Sequence, residues 1–369
     1  MKFNLLTVIL LFTTVSLSSS ADANKIYNFP SQFDDQLNSV NYTGQVFRQL
    51  LIEELKKTMT GIQRGSYQNS QDEISESLWS YIDYNHENDS FAILAVNGEV
   101  EFELIARDLS GKKMSWTEGY VFNDIATGKQ LLDKLAGNDN PLYHGKLLGW
   151  KSENIQTPQE LLNYLIEKLA KNSAQADVLN IVHPSGVTEL VSAAKVTDEG
   201  QDLAELIQKL LHGAISFSQI ARDYLSTDLG TNKGLNAENF KKASDNKFYT
   251  HLEHHWDEAF GYFGASRNYL NYNDLQIKEG LSIDTVNWGQ SKPDGSISMN
   301  TEKNFGLSVL AAKRDLGADT DFTSDIYNDF YKGRKLITEK PEGYLVEVIK
   351  LSQNIILNIE KVIAASVIH

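Results

Sequence analysis

Residues 200–225, GQDLAELIQKLLHGAISFSQIARDYL, place Leu203, Leu206, Leu210, Ala214 and Phe217 at three- and four-residue steps. Such steps line one face of an α-helix, so the segment predicts an amphipathic helix. Three other segments behave alike. Residues 43–63 carry Phe47, Leu50, Leu51, Leu55 and Met59 at helical spacing, with Thr43 as the expected N-cap. Residues 157–172 open on Thr157, Pro158 and Glu160, which are the cap, first-turn proline and third-position acid of a capping box. Residues 343–367 hold Leu345, Val348, Ile349, Ile355, Ile356, Ile359, Val362 and Ile363. That segment is apolar round much of its circumference and is expected deep in the fold.

Only six prolines interrupt the chain, and no fixed-period repeat or low-complexity linker cuts it. Residues 85–127 read differently. Two short apolar runs, 91–95 and 100–105, flank Asn97-Gly98, a hairpin-type turn pair. Residues 179–182, just before His183-Pro184, form another extended candidate. The expected fold is mainly α: a single, bundle-like helical domain over 24–369, with a minor β or extended patch within 85–127.

The composition excludes several function classes. With 34 Lys+Arg against 49 Asp+Glu the formal charge is −15, the wrong sign for a nucleic-acid binder. The absence of cysteine removes disulfides, thiol nucleophiles, iron–sulfur ligation and Cys-type zinc sites. Any metal site must therefore use nitrogen and oxygen donors. At 41% hydrophobic and 10% aromatic, the chain can bury a core of ordinary size.

The N-terminus reads as an export signal. Lys2 is followed by an apolar run over residues 5–17 and by Ser/Ala-rich residues ending in Ala21-Asp22-Ala23. The run is too short to span a bilayer comfortably. Residues 1–23 are thus expected to be cleaved, giving an exported, periplasmic or extracellular protein without a transmembrane anchor.

The densest chemistry lies in residues 248–264, FYTHLEHHWDEAFGYFG. If Thr250 starts a helix, His251 and His255 become neighbours, as do His254 and Glu258, and His255 and Glu258. A His-x-x-Glu pair offers a neutral imidazole and a carboxylate to one divalent ion, as in bundle-type metal sites. The candidate ligands are His255 and Glu258, with His251, His254 and Asp257 around them, and the candidate ion is iron or zinc. The pattern is not His-Glu-x-x-His, so that zinc protease class is not indicated. A structural reading fits the same residues. Trp256, Phe260, Tyr262 and Phe263 would pack an aromatic face while the polar groups satisfy one another.

The block His254-His255-Trp256-Asp257-Glu258-Ala259-Phe260-Gly261-Tyr262-Phe263-Gly264 resembles the signature of an uncharacterised bacterial envelope family. Its members are mostly helical exported proteins or lipoproteins carrying a domain of unknown function. Asn41-Tyr42-Thr43-Gly44-Gln45, Ala311-Ala312-Lys313-Arg314-Asp315 and Gly333-Arg334 are similar to that family as well. The resemblance implies a setting beside imelysin-type proteins and iron uptake, with envelope proteins of such a system as partners. Imelysin-like proteins carry Gly-x-His-x-x-Glu. Here His255 and Glu258 match the last part, while Glu253 stands where the glycine belongs.

Other features read as ordinary structure. Residues 290–302 resemble a decayed calcium loop, but Gln290 and Lys292 replace carboxylates and Thr301 stands where a bidentate Glu is needed. Asp319, Asp321, Asp325 and Asp329 suit a loop and a helix start. His86, His144, His183 and His212 are isolated in sequence and read as surface or core histidines. His369 reads as a frayed terminus. Three functions remain open. The first is a metal-acquisition binding or accessory protein, the second a structural or interaction protein of the envelope without a metal site, and the third a metal-dependent enzyme.

Overall fold

The computed structural model describes residues 25–65, 71–85, 106–107, 113–116, 122–138, 147, 154–278 and 296–368. The apolar segment 5–17, the Asn97-Gly98 turn, residues 290–295, His86, His144 and His369 lie outside the described residues.

The described chain is mainly helical. In order it forms α1 (Thr43–Gly61), α2 (Gln71–Trp79), strands β1 (Ala106–Arg107) and β2 (Lys113–Trp116), α3 (Phe122–Ala126) and α4 (Pro158–Ala174). A hairpin of β3 (Leu179–Val182) and β4 (Thr188–Val191) follows, then α5 (Leu203–Leu211), α6 (His251–Phe263) and α7 (Asp274–Lys278). The chain continues through β5 (Ser296–Ile297), α8 (Gly306–Asp315), α9 (Phe322–Glu339) and α10 (Tyr344–Ile368). β1 pairs antiparallel with β2, and β2 pairs parallel with β5 at Ser115–Ser296. β3 and β4 pair antiparallel, with Leu179 opposite Val191.

The periodic segments become helices for the reasons their sequences give. Phe47, Leu50, Leu51, Leu55 and Met59 of α1 are all buried, although the N-cap position falls on Tyr42 and Thr43 is the first helical residue. Thr157 and Glu160 complete the expected capping box, with Pro158 in the first turn of α4. Residues 179–182 are extended as expected.

Two expectations change. α5 does not remain α-helical to residue 225; it passes into π-helical turns at His212–Phe217 and Gln219–Tyr224. Its buried residues run Leu203, Ile207, Leu211, Ile215, Ile220 and Tyr224, while Leu206 is 40% exposed. Four- and five-residue steps drift round an α-helix, and the wider i→i+5 turn keeps them on one face. α10 is not deep in the fold. It packs against α9 and α8 on one side through Val348, Leu351, Ile355, Ile359 and Val362, while Val346 and Val367 are 76% and 82% exposed.

α6 is the hub. It packs against α1, α8, α9 and the π-helical turns, and Trp256, Phe260 and Phe263 have no exposed surface. One connected apolar cluster runs from Tyr27 to Val362 and includes all three. Among the described residues, no helix is long and apolar enough to cross a membrane.

Candidate functional site

α6 begins where its sequence says it should. Thr250 Oγ1 accepts from the Glu253 backbone N–H at 3.1 Å, and Glu253 Oε2 accepts from the Thr250 N–H at 2.9 Å. This reciprocal box is fully buried, so it also supplies the entering chain with partners that water cannot provide. The helix stops at Gly264, in the left-handed conformation with φ 85°.

Its polar residues then divide by face. Glu253 and Asp257, one turn apart, point inward to Arg334 of α9, and none of the three side chains is exposed. Arg334 Nε donates to Asp257 Oδ1 at 2.8 Å and Nη1 to Glu253 Oε1 at 3.0 Å. Nη2 donates to Ser39 Oγ at 2.7 Å, and Nη1 also reaches the Thr338 hydroxyl. Tyr27 Oη donates to the same Asp257 oxygen at 3.0 Å, while its ring stacks on Phe260 with centroids 3.8 Å apart. Phe29 lies under the guanidinium, 5.2 Å from its ring centre.

One cation thus faces two buried carboxylates. Burial pushes the Asp257 carboxyl up to about 6, against the pull of Arg334. Burial, with Asp257 beside it, also raises the Tyr27 phenol well above its usual range, so it remains a donor. Trp256 completes this inner face. Its Nε1 donates to the Phe330 carbonyl at 2.9 Å, and its ring lies flush against Gly333, where a Cβ would stand 2.1 Å from Cζ2.

The outer face carries the remaining candidates. His251 is exposed. His254 is half-buried, stacked on Tyr249 with centroids 4.5 Å apart, and its Nδ1 is 3.0 Å from the Asn41 carbonyl. His255 Nδ1 is 3.1 Å from the Gly234 carbonyl. A carbonyl only accepts, so both Nδ1 atoms carry the proton and both Nε2 atoms are left as lone pairs in the neutral form. His254 Nε2 lies 3.8 Å from Glu258 Oε1. That carboxylate oxygen also accepts from Gln45 Nε2 at 2.8 Å and from Tyr224 Oη at 3.4 Å. Burial lowers the His254 pKa although Glu258 opposes it.

The five sequence candidates therefore do not share one centre. His254 and Glu258 are together and His255 is adjacent along the helix. His251 meets His255 only ring to ring, at 6.4 Å, and Asp257 is engaged with Arg334 and Tyr27 on the other side. Among the described residues, no group of three or more His, Asp or Glu could hold an ion together. Asp321 caps α9 by accepting from the Ser324 N–H, the helix-start role its sequence indicates.

Arg334, Tyr27 and Ser39 carry no chemical signal in the sequence that marks them as partners of α6. Tertiary packing alone brings them in: Arg334 through the contact of α9 with α6, 77 residues apart at Asp257, and Tyr27 and Ser39 through the segment that precedes α1.

Residues 157–369 match DUF4856, a domain of unknown function, and so cover more than half of the chain. No curated protein and no solved structure matches.

Proposed function

Since the chain belongs to the DUF4856 family of domains of unknown function, we propose that it is an exported accessory or interaction protein of the cell envelope, in which the HHWDEAFGYFG helix is a structural keystone. Export rests on the N-terminal charge, apolar run and Ala-x-Ala of residues 1–23. The single observation that carries the structural reading is the fully buried Arg334–Glu253–Asp257 network. It accounts for two acidic residues of the histidine-rich stretch as partners of a core arginine, outside any metal centre.

A second reading retains divalent-metal binding in an iron-uptake setting and rests on the outer face. There, two imidazoles have Nδ1 held by backbone carbonyls, the way metal-ligating histidines are commonly oriented, and His254 Nε2 neighbours Glu258. Asp257 has no part in this reading.

Metal analysis and calorimetric titration with iron(II) and zinc separate the two. The structural reading expects no stoichiometric uptake. Stoichiometric uptake that disappears in His254→Ala/Glu258→Ala overturns it in favour of the second.

A further inference from the structure

Away from the outer face of α6, α1, α5, α8 and the end of α10 enclose a cavity of about 620 Å³. Its wall is apolar on the α8 and α10 side, through Phe305, Leu307, Leu310 and Ile363. Two features distinguish it from a simple packing gap.

The first is a pair of unmet polar atoms. Gln49 is 1% exposed, and its orientation is fixed because Nε2 donates to the Tyr262 carbonyl at 2.7 Å. Its Oε1 is left buried with no partner. The Nδ1 of His212, at the first π-helical turn, is likewise buried and without a partner. Burial, reinforced by Lys56, pushes this imidazole down to about 4, so it is neutral near pH 7. Both side chains line the cavity and lie close to Gly306, where a Cβ would stand 2.8 Å from Gln49 Oε1 and 3.1 Å from His212 Nδ1. Only glycine, here with φ +46°, lets the backbone approach the two so closely. Orphaned buried polar atoms are costly and uncommon, and the Gln49 oxygen, which can only accept, calls for a donor from outside the chain.

The second feature is charge. The chain is strongly acidic, yet five lysines and two glutamates line this cavity. Both glutamates are already engaged, Glu205 by Lys56 and Glu53 by Lys303. Among the described residues no salt bridge engages Lys209, Lys278 or Lys313, although Glu205 acts on Lys313 from a distance, and lysines outnumber glutamates along the cavity.

We propose that this cavity binds an amphipathic organic anion. Its carboxylate meets Lys209, Lys278 and Lys313, its apolar body lies along Phe305, Leu310 and Ile363, and a hydroxyl donates to Gln49 Oε1 at the closed end. An inorganic anion would leave the apolar wall bare, and an aliphatic hydrocarbon would leave both Gln49 and the lysines unanswered.

The test is calorimetric titration of the full mature chain with ω-hydroxydodecanoate, with dodecanoate and dodecyltrimethylammonium in parallel. Saturable one-to-one binding of the hydroxy acid is expected, weaker binding of dodecanoate, and none of the cation. Charge reversal at two exposed rim positions, Lys209→Glu/Lys313→Glu, is expected to weaken binding by about tenfold or more with the circular dichroism unchanged. Gln49→Leu is expected to abolish the preference for the hydroxyl. The proposal is overturned if the folded wild type shows no saturable uptake of the hydroxy acid. It is equally overturned if the cation binds as well, or if the folded charge-reversed variant binds with unchanged affinity.

Discussion

Arg334 Nε donates to Asp257 Oδ1 at 2.8 Å, between two side chains with no exposed surface. The pair joins α6 to α9, and Glu253, Tyr27, Ser39, Thr338 and the Asn41 backbone N–H supply further hydrogen bonds around it. A buried ion pair adds little compared with an apolar pair of the same shape, but breaking it strands a charge.

Arg334→Met is therefore expected to destabilise the protein by about 3–5 kcal/mol, because two buried carboxylates lose the cation that pairs with both of them. Urea denaturation of wild type and variant at neutral pH measures this. Arg334→Lys is expected to recover only part of the loss, since an ammonium cannot serve Asp257, Glu253 and Ser39 in one plane.

Two groups make stability depend on pH in opposite directions. The His212 imidazole is depressed to about 4 from 6.5, so its contribution is present above about pH 6.5 and is lost as pH falls toward 4. The Asp257 carboxyl is raised to about 6 from 3.8, so its contribution is present below about pH 4 and is lost as pH rises through 6. Relative to wild type, His212→Gln should gain stability on acidification and Asp257→Asn should lose it. Urea midpoints at about pH 4.5, 5.5 and 7 read both differences.

Gly333→Ala places a methyl 2.1 Å from Trp256 Cζ2, on the backbone of a helix that cannot yield easily. A loss of about 1–3 kcal/mol or more is expected, as for other overpacked cores, despite alanine's better helix propensity. The thermal unfolding midpoint should fall, and the near-ultraviolet dichroism should change.

The two capping boxes differ in burial, and their alanine variants should differ accordingly. Thr157→Ala, in the exposed box at the start of α4, is expected to cost about 0.5–1 kcal/mol. Thr250→Ala should cost about 2 kcal/mol, because Thr250 Oγ1 also donates to Asn239 Oδ1 at 2.8 Å in a site closed to water. Equal losses at the two sites would contradict the role given to burial.

Much of the helical architecture was legible in the sequence because its signals are local. Thr157-Pro158 with Glu160, Thr250 with Glu253, and the apolar face of α1 act within a few residues of themselves. The π-helical turns were not legible, since Leu206 and Leu210 fit an α-helical stripe as well as Ile207 and Leu211 do. For α10 the sequence showed how apolar the helix is, but not that α8 and α9 cover only one side. The residues of α6 were recognisable as a polar cluster, while their division into inner and outer faces depended on Arg334, whose pairing is purely tertiary. His212 looked isolated for the same reason: Gln49 and Gly306, which meet it at the cavity, are distant in sequence.

The most direct test of the keystone role is a double-mutant cycle between Arg334→Met and Asp257→Asn, read by urea denaturation at pH 7. The structure predicts that the losses are not additive, with a coupling of about 1–3 kcal/mol because each residue is the other's buried partner. Losses that add to within about 0.3 kcal/mol would contradict it and return Asp257 to the candidate donors of the histidine-rich helix.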